Sequence, residues 1–323
     1  MVSSPSAVLS ALRRALPRLA ATVAKMRDIS RILPALIVCG LCFQSGAAAG
    51  GRDPYTQSCA RVPTGPIPPN NQLILRTVAQ MPDGQGFGRG DGRIDALAAA
   101  IEVLPDRIQV SPMKAGPTFC TAATYLLLWT AIAELYNTGK LKLDREALEE
   151  LQVRSKKQMP DGTGVWGRWN ADGPGAAAVF KELGLGANRS DVQEALPGDF
   201  LKISWTQSVG KGERGHLGVF DSERDCRSPA HENRLERHIC FWSSQSGNDL
   251  ELPDDQKGTA GFGLKCVPQR KVVRAIYSRL ESFAAFNAAP KILGRKSPHY
   301  SQSELATWLD KARTQEEVEK LIR

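Results

Sequence analysis

The hydrophobic pattern of this chain changes period once, near Pro197, and that change constrains the fold more than any other feature. Before it, apolar residues recur at helical spacing; after it, four short segments rich in β-branched and aromatic residues follow one another. These are Asp199–Trp205, Gly215–Phe220, Arg237–Ser243 and Gly261–Val267, each bounded by Gly, Pro, Asp or charged turns. Helices followed by consecutive strands predict an α+β domain, its helical part packed on a small antiparallel sheet. Helical patterns return at Lys271–Phe286, Ser303–Ala312 and Thr314–Ile322 and predict a C-terminal helical segment over 271–323.

The first 50 residues stand apart. They hold Arg13, Arg14, Arg18, Lys25, Arg27 and Arg31 against the single Asp28, five of the chain's eight net positive charges. The remainder is therefore nearly balanced, and nucleic-acid binding loses its main support. From Met26, a charged start leads into the apolar run Ile32–Phe43 and then Ala47-Ala48-Ala49, the pattern of a secretory signal cleaved near Ala49. Twelve apolar residues are short for a bilayer span, although an uncleaved anchor is the competing reading. Residues 1–49 are thus read as a leader and 50–115 as an N-terminal extension rich in proline and glycine.

Export leaves five cysteines, Cys59, Cys120, Cys226, Cys240 and Cys266, in an oxidising compartment. An odd count leaves one thiol unpaired. Cys120 is the candidate, since it alone follows a proline and opens an apolar helix running through Leu126 and Trp129 to Leu135. The other four allow three pairings; Cys240 and Cys266 both fall in expected strands and are able to be neighbours. At a helix start the unpaired N–H groups and the helix dipole favour an anion, which lowers a thiol from about 8.5 toward roughly 3.5–7.5. That makes a nucleophile.

Between the leader and Pro197, helices are expected at Ile94–Leu104, from Asp144 to a stop at Pro160, and over Ala176–Leu183 with Gly184 as its cap. The Gly/Asp run Asp83–Asp95 lacks the spacing of a calcium loop and reads as turn chemistry. A second glycine-rich loop, Val165–Gly175, carries Trp166, Trp169 and Asn170. Those residues suit the wall of a groove for peptide or sugar, and equally suit packing of the loop on the core. No zinc-spaced cluster, P-loop or dinucleotide fingerprint is present, so no metal or cofactor is expected.

A cysteine nucleophile needs a base. Of His216, His231, His238 and His299, His216 opens an expected strand between small residues, whereas His231 and His299 fall in connectors. The order Cys120, Pro197-Gly198-Asp199, Gly215-His216, then a polar residue in Trp242-Ser243-Ser244-Gln245 resembles the papain-like cell-wall cysteine hydrolases, the NlpC-type endopeptidases and CHAP amidases. The resemblance covers about residues 116–270. It implies a papain-like fold, a bacterial periplasmic or secreted protein, peptidoglycan or peptide as substrate, and a Cys120, His216 and polar-residue site. Strand alternation puts Ile239, Phe241, Ser243 and Gln245 on one side and Cys240, Trp242 and Ser244 on the other. Gln245 is the favoured third member, with Ser244 as the substitute. The Cys120 to His216 spacing implies inserted elements, and Asp221–Glu236 is expected as a further insert. A non-enzymatic wall-binding protein on the same fold, with Trp166 and Trp169 holding a wall fragment, and a transglutaminase-type transferase are the alternatives.

Overall fold

The computed structural model describes residues 59–154, 164–170, 173–208, 214–227, 235–246, 260–293 and 320. The expected leader lies outside them, as do His231, His299, the helix Ser303–Ala312 and all of Thr314–Ile322 except Lys320.

In chain order the elements are β1 (Cys59–Arg61), α1 (Pro69–Gln80), β2 (Gly84–Gln85), α2 (Asp91–Ala99), β3 (Ile101–Val103), β4 (Ile108–Val110), α3 (Cys120–Asn137), α4 (Arg145–Leu151), α5 (Gly164–Trp169) and α6 (Ala176–Leu183). Then follow β5 (Gly186–Arg189), β6 (Phe200–Ser204), β7 (Gly215–Arg227), β8 (Leu235–Gln245), β9 (Gly261–Pro268), β10 (Arg274–Leu280) and α7 (Ala289–Ile292). The main sheet runs β2-β9-β8-β7-β6-β10-β5, with β1 beside the far half of β7. Every pairing in it is antiparallel. The architecture is α+β. Among the described residues no helix is long and apolar enough to cross a membrane.

The sheet is buried on both faces. Phe200, Leu217, Val219, Trp242 and Phe262 pack with the helices in the larger core. Leu201, Ile203, Phe220, Ile239, Phe241, Val267 and Tyr277 form a second core on the opposite face. The predicted β8 alternation is therefore observed, with Ile239 and Phe241 on one side and Trp242 on the other. Helix α3 is apolar all round and lies at the centre of the larger core; Leu126, Leu127, Trp129 and Ile132 are fully buried.

Several sequence expectations need correction. Lys271–Phe286 is not a helix: Arg274–Leu280 is strand β10, inserted between β6 and β5. The apolar groups Ile276, Tyr277 and Leu280 are buried there, and the Arg279 guanidinium holds the buried Asp199 carboxylate at 3.0 and 2.9 Å. The C-terminal boundary at residue 270 thus cuts through the sheet. The N-terminal extension is likewise part of the fold, since β1 pairs with β7 and α1 packs into the core.

Second, Asp221–Glu236 is not a separate insert. β7 continues to Arg227 and β8 begins at Leu235. The polar composition that suggested a loop is satisfied within the ladder. Arg224, fully buried, donates to Asp221 at 2.9 Å and Ser222 at 3.0 Å, and Arg237 donates to Asp225 at 2.8 Å. Third, Ile94–Leu104 is split into α2 and β3, and the Asp144 helix ends at Leu151. The helix Ala176–Leu183 closes as expected on Gly184, which is left-handed at φ 64°.

The bridges are Cys59–Cys226 and Cys240–Cys266, which leaves Cys120 as the free cysteine among the described residues. Each bridge joins residues directly opposite on neighbouring strands. Two disulfides fit an exported protein.

Candidate active site

Residues 116–119 are held extended by two neighbours. Gly88 N–H donates to the Thr118 carbonyl at 2.9 Å, Thr118 N–H donates back to Gly86 at 3.3 Å, and Phe87 and Thr118 form a parallel bridge. From the other side the Ser244 hydroxyl donates to the same Thr118 carbonyl at 3.0 Å. Phe119 is still extended, at φ −125° and ψ 168°, and Cys120 is the first helical residue of α3. The sulfur therefore sits where the helix presents unpaired N–H groups and the positive end of its dipole.

The N-terminal end of α3 is buttressed from behind. Trp169 donates its indole N–H to Thr124 at 3.1 Å, and Trp166 packs edge-on against Phe119 and Tyr125 with ring centroids 6.4 and 5.0 Å apart. Both indoles are buried, at 3% and 1% exposure for Trp166 and Trp169. The loop expected at Val165–Gly175 is in part helix α5, and the two tryptophans do not line an open groove. Apolar rings of this size are held in the core by the area they bury, and here they fix the helix that carries Cys120. Asn170 follows α5, half-buried, its N–H donating to the Trp166 carbonyl at 2.9 Å.

His216 is the second residue of β7, directly opposite Ile203 of β6. Its imidazole and the backbone N–H of the next residue, Leu217, both act on the half-buried Cys120 thiol, whose side-chain contact is the Thr121 hydroxyl at 3.8 Å. Burial is the largest single influence on the Cys120 thiol and opposes ionisation. The His216 charge, its hydrogen bond, the Leu217 N–H and the Lys202 charge together outweigh it and lower the thiol from 9.0 to about 6. The net direction favours the thiolate.

The His216 ring stands 5.3 Å from the Phe241 ring, and its Nε2 is buried with no hydrogen-bond partner. On the neighbouring strand, Gln245 Oε1 is also buried without a partner, while its Nε2 donates to the Gly263 carbonyl at 3.4 Å. The β7–β8 register begins at Val219 opposite Trp242. Carried on at the same step, it sets Gln245 across from His216 on one face of the sheet. Ser244 faces the helices instead and uses its hydroxyl on Thr118, so it does not orient the imidazole. His238, further along β8, interacts with the Glu236 carbonyl at 2.9 Å and lies away from Cys120.

Several site residues are not evident from sequence. Leu217 contributes only its backbone, and the Ser243 hydroxyl fixes that residue by donating to its carbonyl at 2.6 Å. Lys202 had a readable signal: it alternates with Phe200 along β6 and so faces the helices, an unusual side for a lysine. The first glycine loop reads as turn chemistry alone, yet it clamps the Cys120 approach. The chain matches no protein-family model, no curated protein and no solved structure.

Proposed function

We propose that this protein is an exported cysteine hydrolase of amide bonds, related in fold to the papain-like cell-wall enzymes, with peptidoglycan as the substrate. One observation carries the reading: the one unbridged cysteine among the described residues opens a buried helix and its thiol, under the influence of an imidazole on a strand of the sheet, is lowered to about 6. A structural cysteine in an apolar core has its thiol pushed up, not down. The secretory pattern ending at Ala49 and the two disulfides support export to a bacterial periplasm or beyond.

In this mechanism the Cys120 thiolate attacks the amide carbonyl carbon, forming the C–S bond and moving an electron pair onto oxygen. The Cys120 backbone N–H, unpaired at the helix start, stabilises that oxyanion; such a donor is worth about 2.7–4 kcal/mol. The His216 imidazolium then gives its proton to the leaving amine as the C–N bond breaks, leaving a thioester. Neutral His216 next takes a proton from water, whose oxygen attacks the thioester and expels the thiolate. In this reading Gln245 Oε1, which has no hydrogen-bond partner in the structure, is the acceptor that the imidazole N–H turns to during the cycle.

The binding-protein alternative is weakened by the burial of Trp166 and Trp169, which removes the aromatic wall it relied on. The test is digestion of purified peptidoglycan in a mildly reducing buffer by the protein and by Cys120→Ala, with mass analysis of released fragments. Amide cleavage by the first and not the second is expected. If neither preparation releases fragments, the hydrolase reading fails.

A further inference from the structure

Tyr277 of β10 is fully buried in the second core, on the reverse face of the sheet, and its hydroxyl has no hydrogen-bond partner. A buried hydroxyl left in that state costs folding free energy, so its retention needs a reason. The same residue lines a cleft of about 330 Å3. One wall of the cleft is the connection after β5, through Asp191 and Val192; the other is the approach to β10, with Val273 and Ala275. Ile239 of β8 lies beside Tyr277 in the lining. Most of these groups are apolar: Ile239 belongs to the second core, Val192 and Ala275 pack against it, and Val273 is a large apolar side chain left exposed. β10 is paired on both sides, with β5 and β6, so the cleft offers side chains and not a strand edge. One acid, Asp191, and one base, Arg274, line it, and their formal charges cancel. An ion entering would lose hydration with no net charge to meet it. The volume is at the low end of the range for small-molecule sites and too small for a polymer chain. Burial pushes the proton affinity of the Tyr277 hydroxyl up, so it remains an O–H donor.

We propose that this cleft is a binding site for a small neutral molecule with an apolar body and a carbonyl oxygen that accepts the Tyr277 O–H. The apolar walls take the body, and the carbonyl meets the one buried donor the fold leaves unmatched there. The site is distinct from that of Cys120, which packs against the larger core while the cleft borders the second. It goes beyond the hydrolase reading and does not rest on it.

Three probes of nearly equal size test it: benzamide, which is neutral and carries a carbonyl; benzoate, which is an anion; and benzylamine, a cation without an acceptor. Binding is followed by NMR titration as shifts of the backbone amide signals of Val192, Ile239 and Ala275. Benzamide is expected to shift these signals and to bind more tightly than either ion. Tyr277→Phe is expected to weaken benzamide about threefold to tenfold, the loss of one neutral hydrogen bond, and to melt no lower than wild type, because it removes a buried hydroxyl that has no partner. Ala275→Leu fills the cleft with Tyr277 in place, and loss of the shifts in that variant supports the site even if the phenylalanine variant does not fold. Cys120→Ala is expected to bind benzamide as wild type does. The site is overturned by unshifted signals in wild type, by tighter binding of benzoate, or by equal benzamide affinity in Tyr277→Phe. A lowered melting midpoint in Tyr277→Phe, which would give the hydroxyl a structural role, or loss of benzamide binding in Cys120→Ala, overturns it as well. Peptidoglycan digestion decides the hydrolase reading separately, since neither result bears on the other.

Discussion

His216→Gln isolates the interaction on which the site depends. In the native protein the Cys120 thiol is lowered to about 6 because the His216 charge and hydrogen bond, with smaller help from Leu217 and Lys202, outweigh burial. Without the imidazolium, burial dominates and the thiol returns to 9.0 or above. At pH 6 the thiolate fraction then drops from about one half to about one thousandth, roughly 500-fold. Intrinsic nucleophilicity rises with thiol basicity at a Brønsted slope of about 0.4–0.5, which over three units restores about 16–30-fold. The net expectation is iodoacetamide labelling slower by about 15–30-fold at pH 6, and faster than wild type by a similar factor near pH 11, where both sulfurs are ionised. The assay is mass-resolved labelling of Cys120 in the native protein from pH 5 to 11. A crossing of the two profiles is the signature. Parallel profiles, or a wild-type inflection at 8–9, would refute the ion pair.

Trp169→Phe removes the indole donor to buried Thr124 and is expected to cost about 1–3 kcal/mol by denaturant unfolding, with Cys120 labelling also perturbed. A variant of native stability with only weakened substrate affinity would return Trp169 to a substrate wall. Gly218→Ala would bring a Cβ to 2.7 Å from Phe241 Cδ2 and 2.9 Å from the Trp242 carbonyl, so the ring that packs on His216 must shift. A loss of about 1–3 kcal/mol together with slower Cys120 labelling is expected, and unfolding midpoints alongside labelling rates measure both. Removing the Cys240–Cys266 bridge by paired alanines opens a loop with a sequence separation of 26, for a loss of about 3.5 kcal/mol; the Cys59–Cys226 bridge, with a separation of 167, is worth about 5 kcal/mol in the same chain-entropy account. Thermal melts of the two paired variants order them, and a larger loss for the shorter loop would contradict that account.

Much of the chemistry was legible before any fold was drawn, because it is written in local chain geometry. A proline followed by an apolar helical run marks Cys120 as a helix-opening residue, and parity of the cysteines leaves one thiol over. Alternation along β8 was readable for the same reason, since a pleated strand sends successive side chains to opposite faces. The polar stretch of β7 reads as a solvated turn, yet its charges are neutralised inside the sheet, Arg224 by Asp221 on its own strand and Arg237 of β8 by Asp225 across from it. The β10 segment was misread because its apolar spacing fits either period over so short a run, and only burial on both faces of a central strand resolves it.

What the sequence determined by itself was the change of hydrophobic period near Pro197, the spare thiol and the short list of bases. Tertiary structure decided which groups meet: that His216 reaches the sulfur, that Leu217 offers a main-chain N–H to it, that Lys202 lends a charge, and that Trp166 and Trp169 brace the helix instead of facing solvent. The reason is that a side chain's local pattern fixes only the direction in which it leaves the backbone. Proton affinity and exposure depend on groups brought close from distant parts of the chain, and contacts between Cys120 and residues of β6 and β7 exist only after the sheet has paired and α3 has packed against it.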